Sequence, residues 1–221
     1  MILGVSRRTS NEVVAGELGW WDLKSRREKI MLKYWKTLVG MGEREIAGSL
    51  LEGGCWEEEM EVMLERKGWG VSVDFGTPEV WRTLVTSLTR QEVEGRWRRG
   101  IELKPKLRTY ARLKTKLEYE PYLDWEDRWA RRYTARMRGG TNKLRIETGR
   151  WKGEEVEERK CRICGVVEDE EHFVAQCDLG ELVREELRLV VGEELEGKSL
   201  WSGDWEGLRG GERCWRSGVE K

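Results

Sequence analysis

The sequence predicts a mainly α-helical chain, with a helical bundle-like region, then a small Cys-Cys-His-Cys motif, then a C-terminal helix. Three observations carry that expectation. Apolar residues recur at three- and four-residue spacing over much of the chain, the pattern of a buried helix face. The 221 residues include only 3 prolines and 2 phenylalanines, a composition that argues against a sheet-rich fold. Finally, Cys161, Cys164, His172 and Cys177 stand at C-x2-C-x7-H-x4-C spacing and take in the only histidine of the chain. Three thiolates and one imidazole are the ligand set of a closed, four-coordinate zinc site. Catalytic zinc keeps a position for water, so four protein ligands point to one structural zinc ion. Such cysteines must stay reduced to bind metal, which suits an intracellular setting. Cys55 and Cys214 fit no pattern and read as free thiols.

Hydrophobic and charged residues each make up 38% of the chain, and the mean hydropathy is −0.72, values of a heavily solvated helical protein with a modest core. No apolar run reaches the length of a membrane span, and MILGVSRR lacks the apolar core of a signal peptide. The nucleus or cytoplasm is therefore the expected compartment. A net charge of −1 conceals an asymmetry: Arg82 to Lys152 holds 20 Lys/Arg against 9 Asp/Glu, a net of +11, and the remainder nets −12. A basic segment of this kind is either an electrostatic footprint for phosphate or the solvated face of long helices.

In chain order, residues 1–100 read as a helical region, 101–153 as a basic helical segment, 154–191 as the zinc motif with its following helix, and 192–221 as a flexible tail. Thr9 with Glu12 fits a capping box for a short helix that Gly19 ends. Asp22 then caps a longer helix whose apolar face runs Leu23, Ile30, Met31, Tyr34, Trp35, Leu38 and Val39. Two further helices between Glu43 and Lys67 are divided by Gly53-Gly54, and Val71 to Phe75 is a short extended piece in a loop. Thr77-Pro78-Glu79 supplies an N-cap, an N1 proline and a first-turn acid for a helix ending near Gly95 or Gly100. Leu107, Tyr110, Leu113 and Leu117 form the next helical stripe, with Lys114 among the basic residues outside it. Trp125, Trp129 and Tyr133 recur every four residues among arginines, and Gly139-Gly140 breaks that helix. Such aromatics either stack on bases or form a buried stripe. Leu182, Val183, Leu187, Val190 and Val191 support the C-terminal helix.

The opening LGVSRRTSNEVVAGELGW resembles the region just after the polymerase core in reverse transcriptases of non-LTR retrotransposons. YLDWEDRWARRYTARMRGGTNKLRIETGRW followed by CRICGVVEDEEHFVAQC resembles the cysteine–histidine segment near the C-terminus of the same family. The resemblance implies a piece of an element-encoded polyprotein, a post-polymerase helical segment with a zinc motif that helps to grip template or target nucleic acid, and makes a separate reverse transcriptase a candidate partner. It maps Cys161, Cys164, His172 and Cys177 onto the family's metal ligands. No adjacent Asp-Asp pair occurs anywhere, so the carboxylates that hold the polymerase metals are missing.

The expected function is a non-catalytic, zinc-stabilised module that binds DNA or RNA. Acidic flanks around the motif, Glu154, Glu155, Glu157, Glu158 and Glu168 to Glu171, would repel phosphate. The expected contacts are instead Arg128, Arg131, Arg132, Arg136, Arg138, Lys143, Arg145 and Arg150. A structural or protein-interaction module, and a decayed element fragment without a selected role, are the alternatives. Catalysis is not expected. The sole histidine is committed to metal, and the 44 residues after Cys177 are too few for a nuclease domain despite Glu196-Gly197-Lys198.

Overall fold

The computed structural model describes residues 5, 7–41, 55–69, 76–182 and 184–185. It is mainly helical: α1 Asn11–Glu17, α2 Leu23–Met41, α3 Cys55–Arg66, α4 Pro78–Glu102, α5 Arg108–Leu113, α6 Arg128–Arg138 and α7 Arg145–Lys152, with single helical turns between and after them. Among the described residues the only β-type pairings are isolated bridges, Leu18 with Tyr119 and Lys160 with Val167. The expected helix through Ile46, the Gly53-Gly54 break, the extended piece at Val71 to Phe75, most of the C-terminal helix and the tail from Gly192 lie outside the described residues. So do Cys214 and the side chain of Cys55.

Contacts divide the chain into two compact units, Trp21–Arg96 and the segments that flank it, up to Trp20 and from Trp97 onward. The sequence reading kept residues 1–100 together. The structure instead groups α1 with the metal-motif half, because α1 pairs with residues far along the chain, as described below.

In the Trp21–Arg96 unit, Asp22 caps α2 as expected, accepting from the Ser25 N–H and the Ser25 hydroxyl at 2.9 Å each. The predicted face of α2 is partly right, since Met31 and Trp35 pack against the core, and partly misplaced. Leu23 is 80% exposed and Ile30 64%, whereas Ser25, Glu28 and Leu32 are buried. Polar anchoring decides this, since Glu28 takes Arg66 at 2.5 Å and Lys67 at 3.4 Å from the end of α3. The core is Leu32, Met60, Met63, Leu64, Trp81 and Val85. Trp81 lies edge-on to Trp69 at 5.7 Å and donates its indole N–H to the Leu32 carbonyl at 2.7 Å. Burying an indole of this size contributes about 4–6 kcal/mol of transfer free energy before ordering costs.

Helix α4 starts where Thr77-Pro78 places it, with the Thr77 carbonyl accepting from Trp81 N at 3.0 Å. It runs through both glycines expected to end it and stops at Glu102. Trp81, Val85, Thr89, Val93, Trp97 and Ile101 are buried at four-residue spacing, so packing outweighs the helix cost of two glycines. A Cβ on Gly100 would stand 3.0 Å from the side chain of Glu12, which would have to shift to admit it.

In the second unit, α1 has Ser10 rather than Thr9 at its N-cap and no side-chain cap bond. Glu12 instead accepts from the Ser10 hydroxyl and pairs with Lys104. Gly19 does close α1, at φ 62°, and a Cβ there would meet Tyr119 N at 2.7 Å. The stripe expected from Leu107 to Leu117 is a shorter helix than predicted, since α5 ends at Leu113. Lys114, expected outside, is buried and donates to the Glu118 carbonyl at 2.6 Å and to the Glu120 carboxylate.

A buried ionic cluster holds α1 against α6. Glu17 and Arg138 are 0% and 1% exposed at the side chain and pair at 3.2 Å, and Arg138 reaches Glu120 at 3.1 Å. Tyr122 donates to the second oxygen of Glu17 at 2.5 Å. Burial lowers the Arg138 proton affinity, but the facing Glu17 and Glu120 carboxylates outweigh it and hold the guanidinium charged. Burial, reinforced by Glu17, pushes the Tyr110 and Tyr122 hydroxyls far above their ordinary range, so both stay neutral donors.

Candidate metal centre

The four predicted ligands come from two local structures, each set by its sequence. Cys161 and Cys164 flank a tight turn that Gly165 closes at φ 72°, with Gly165 N donating to the Cys161 carbonyl at 2.9 Å and Cys161 N to Val166 at 2.7 Å. An L-residue with a side chain is strained at that φ, which explains the glycine. The second pair sits on a helical turn of π type, His172–Gln176, in which Cys177 N donates to the His172 carbonyl at 2.7 Å. Residues five apart lie about 140° apart on an α-helix. Widening the turn by one residue brings His172 and Cys177 round to the same side. The Asp169 carboxylate starts this turn by accepting from His172 N at 2.8 Å.

The result is a compact cluster. One ligand atom from each of Cys161, Cys164, His172 and Cys177 lies within 4.8 Å of every other, close enough to hold a metal ion. The Cys177 sulfur is 3.9 Å from that of Cys161 and 3.8 Å from that of Cys164. A tetrahedron with metal–sulfur bonds of about 2.3 Å has edges of about 3.8 Å, so the sulfurs already stand at ligand spacing. They are too far apart for a disulfide, which needs about 2.05 Å. His172 is buried, and neither ring nitrogen has a hydrogen-bond partner among the described residues. An imidazole buried without partners costs free energy, and a metal bond to one nitrogen relieves it.

Charge points the same way. Burial pushes the Cys161 thiol up, but the backbone at Cys164, the His172 ring, the backbone at Ile163 and the Cys177 side chain outweigh it and lower the thiol below its ordinary value. Burial pushes Cys177 up, and despite the Leu179 backbone the nearby Cys164 and Cys161 sulfurs push it further. Without a cation, one thiolate forms readily and the next is resisted. A bound divalent ion removes that resistance.

Residues around the cluster hold it in place. Arg184 lies over Cys177, donating to its carbonyl at 2.7 Å and to the Val174 carbonyl at 3.5 Å. Asp178 N donates to the Cys164 sulfur at 3.4 Å. The apolar residues Met137, Leu144, Ile146 and Val174 form the core beneath.

The acidic string of the motif finds partners within its own unit, with Glu170 buried and Glu171 exposed. Glu168 accepts from Arg145 N at 2.7 Å, at the start of α7. Glu170 is buried, taking Arg108 at 2.7 Å, Thr109 at 2.9 Å and Asn142 at 2.9 Å. Glu171 takes Arg112 at 2.9 Å. These carboxylates neutralise part of the basic segment, whereas Glu155, Glu157 and Glu158 of the same flanks are exposed, as is Glu171. Sequence reasoning missed this role, as it missed the Glu17–Arg138 pair, because no local pattern separates a charged residue facing water from one facing a distant partner.

The predicted arginines are consequently split. Arg138 is withdrawn from any surface by its pairing with Glu17 and Glu120, which removes it as a phosphate contact. Arg145 pairs with Glu154 at 2.9 Å, Arg150 with Glu147 at 2.6 Å, and Arg131 donates to the Leu123 carbonyl at 3.1 Å. Arg128, Arg132 and Lys143 are exposed, and Arg136 is half-buried. Among the described residues no ion pair joins Arg128, Arg132, Arg136 or Lys143 to a carboxylate. Trp129 is 64% exposed beside them, so the aromatic stripe is not a wholly buried one.

The fold and cluster together define a mainly helical chain with a Cys3His group able to hold one metal ion. No protein-family model, curated protein or solved structure matches the chain. No described helix is long and apolar enough to cross a membrane.

Proposed function

We propose that this chain is a non-catalytic, zinc-stabilised module that binds DNA or RNA and derives from the post-polymerase region of a non-LTR retrotransposon reverse transcriptase. The observation that carries the binding surface is on α6. Arg128, Arg132 and Arg136 follow one another at four-residue spacing with exposed Trp129 beside them, a line of cations along an accessible indole. Cations of this kind neutralise backbone phosphates, and the indole is a platform for an unpaired base. Zinc suits the ligand set better than harder ions because three of its four groups are thiolates. Its role in this reading is to fix the segment that packs under α6.

One observation favours the alternative of a protein-interaction module: Ile163, Val166 and Leu179 are exposed apolar residues around the cluster. Binding of single- and double-stranded oligonucleotides across a salt series separates the readings. Arg128→Glu with Arg132→Glu is expected to weaken binding about tenfold or more and to flatten the salt dependence. Zinc content should be unchanged. Affinity that ignores both charge reversals would remove α6 as the binding surface.

A further inference from the structure

The sulfurs gathered to hold the metal also stand in reach of a different reaction. Cys177 is central: its sulfur is 3.8 Å from that of Cys164 and 3.9 Å from that of Cys161. A disulfide needs about 2.05 Å, so closing either pair takes an approach of about 1.8 Å. The two pairs differ in access and in restraint. Cys161 and Cys177 are buried, whereas Cys164 is half-buried on a turn whose Ile163, Gly165 and Val166 neighbours are exposed. Cys161 is also fixed through its backbone, its N–H donating to the Val166 carbonyl at 2.7 Å and its carbonyl accepting from Gly165 N at 2.9 Å. An oxidant arriving from solvent therefore meets Cys164 first, with Cys177 as the thiolate beside it. Arg184, donating to the Cys177 carbonyl at 2.7 Å, keeps that residue in place, so the Cys164 turn makes the approach.

We propose that Cys164 is a modification site for peroxide, and that its oxidation closes a Cys164–Cys177 disulfide and releases the metal. The release of metal rests on the zinc reading given above. In the first step the Cys164 thiolate attacks one peroxide oxygen. The O–O bond breaks, the sulfur is oxidised by two electrons to a sulfenic acid, and the other oxygen takes a proton and leaves as water or an alcohol. In the second step the Cys177 thiolate attacks the Cys164 sulfur. The S–S bond forms, the S–O bond breaks, and hydroxide takes a proton and leaves as water. Metal binding needs thiolates, so only Cys161 and His172 remain of the ligand set. Two ligands do not close a zinc site.

The test treats the full chain, loaded with zinc, with a graded excess of hydrogen peroxide, follows zinc with a chromogenic chelator and maps disulfides by peptide mass. One zinc is expected to leave for each bridge formed, the bridge being Cys164–Cys177, and dithiothreitol with added zinc should reverse both. Cys55→Ser with Cys214→Ser should leave both readouts unchanged, which separates this bridge from pairings with the remaining cysteines. A bridge through Cys161 in place of Cys164 overturns the proposal, and so does Cys164 carried to a sulfinic acid with no bridge. Cys164 left reduced by peroxide that fully oxidises free glutathione overturns it as well. A chain that carries no zinc when purified under reducing conditions fails the zinc reading alone, and the peptide map then decides the Cys164–Cys177 pairing by itself.

Discussion

At the scale of single residues, Arg138 shows how burial redirects a charge. By sequence it belongs with the arginines of α6, yet its guanidinium is enclosed by Glu17, Glu120 and the Tyr122 ring, 5.6 Å from the ring centroid. Removing one member of such a pair leaves the other charge buried alone, a loss of about 3–5 kcal/mol. Arg138→Met is therefore expected to lower the urea midpoint strongly. Glu17→Gln added to it should recover part of the loss, because the stranded carboxylate is gone. Equal loss in the single and double variants would show that packing, and not the charge pair, carries the stability. The sequence could not single out Arg138, since Arg131, Arg132 and Arg136 share its composition and its helix. What distinguishes it is a carboxylate 121 positions away.

At the scale of elements, starts and stops were legible because they are local chemistry. Asp22, Thr77-Pro78, Gly19 and Gly139-Gly140 act through caps, fixed φ or positive φ within a few residues. Helix faces were less legible, and α2 shows why. Its buried side joins Met31 and Trp35 to Ser25 and Glu28, polar residues matched by partners on its own cap and on α3, so counting apolar positions found only part of the face. The π-type turn of the metal motif gives a direct test. Deleting Ala175 returns Cys177 to a four-residue step from His172 and removes the extra residue that sets the wide turn. Zinc content per chain should fall well below one, whereas Ala175→Ser, which preserves the spacing, should retain it. Full zinc loading of the deletion variant would show that the turn is incidental to ligation.

At the scale of the whole molecule, the internal charge pairing governs what reaches solvent. The segment that nets +11 by sequence gives Arg108, Arg112, Lys114, Arg138, Arg145 and Arg150 to carboxylates inside its own unit. Arg128 and Arg132 of α6 remain exposed, as do Arg98, Arg99, Lys116 and Lys152 elsewhere in the segment. Metal should matter globally because His172, Cys161 and Cys177 are buried in the same packing that holds α6 and α7. Protein purified under reducing conditions is expected to carry one zinc per chain. Chelation should lower the melting transition and added zinc should restore it. An unchanged transition in the metal-free protein would mean that the apolar core alone holds the motif.

The sequence by itself determined the helical class, the termini of several helices and the four residues of the Cys3His cluster, because spacing, capping and ligand type are properties of short stretches. Tertiary structure alone decided which face of α2 is buried, that α4 runs through its glycines, and which basic residues remain open to a ligand. Those outcomes depend on partners distant in sequence. Burying a charge is costly unless a particular opposite charge meets it, and only the folded chain specifies which one does.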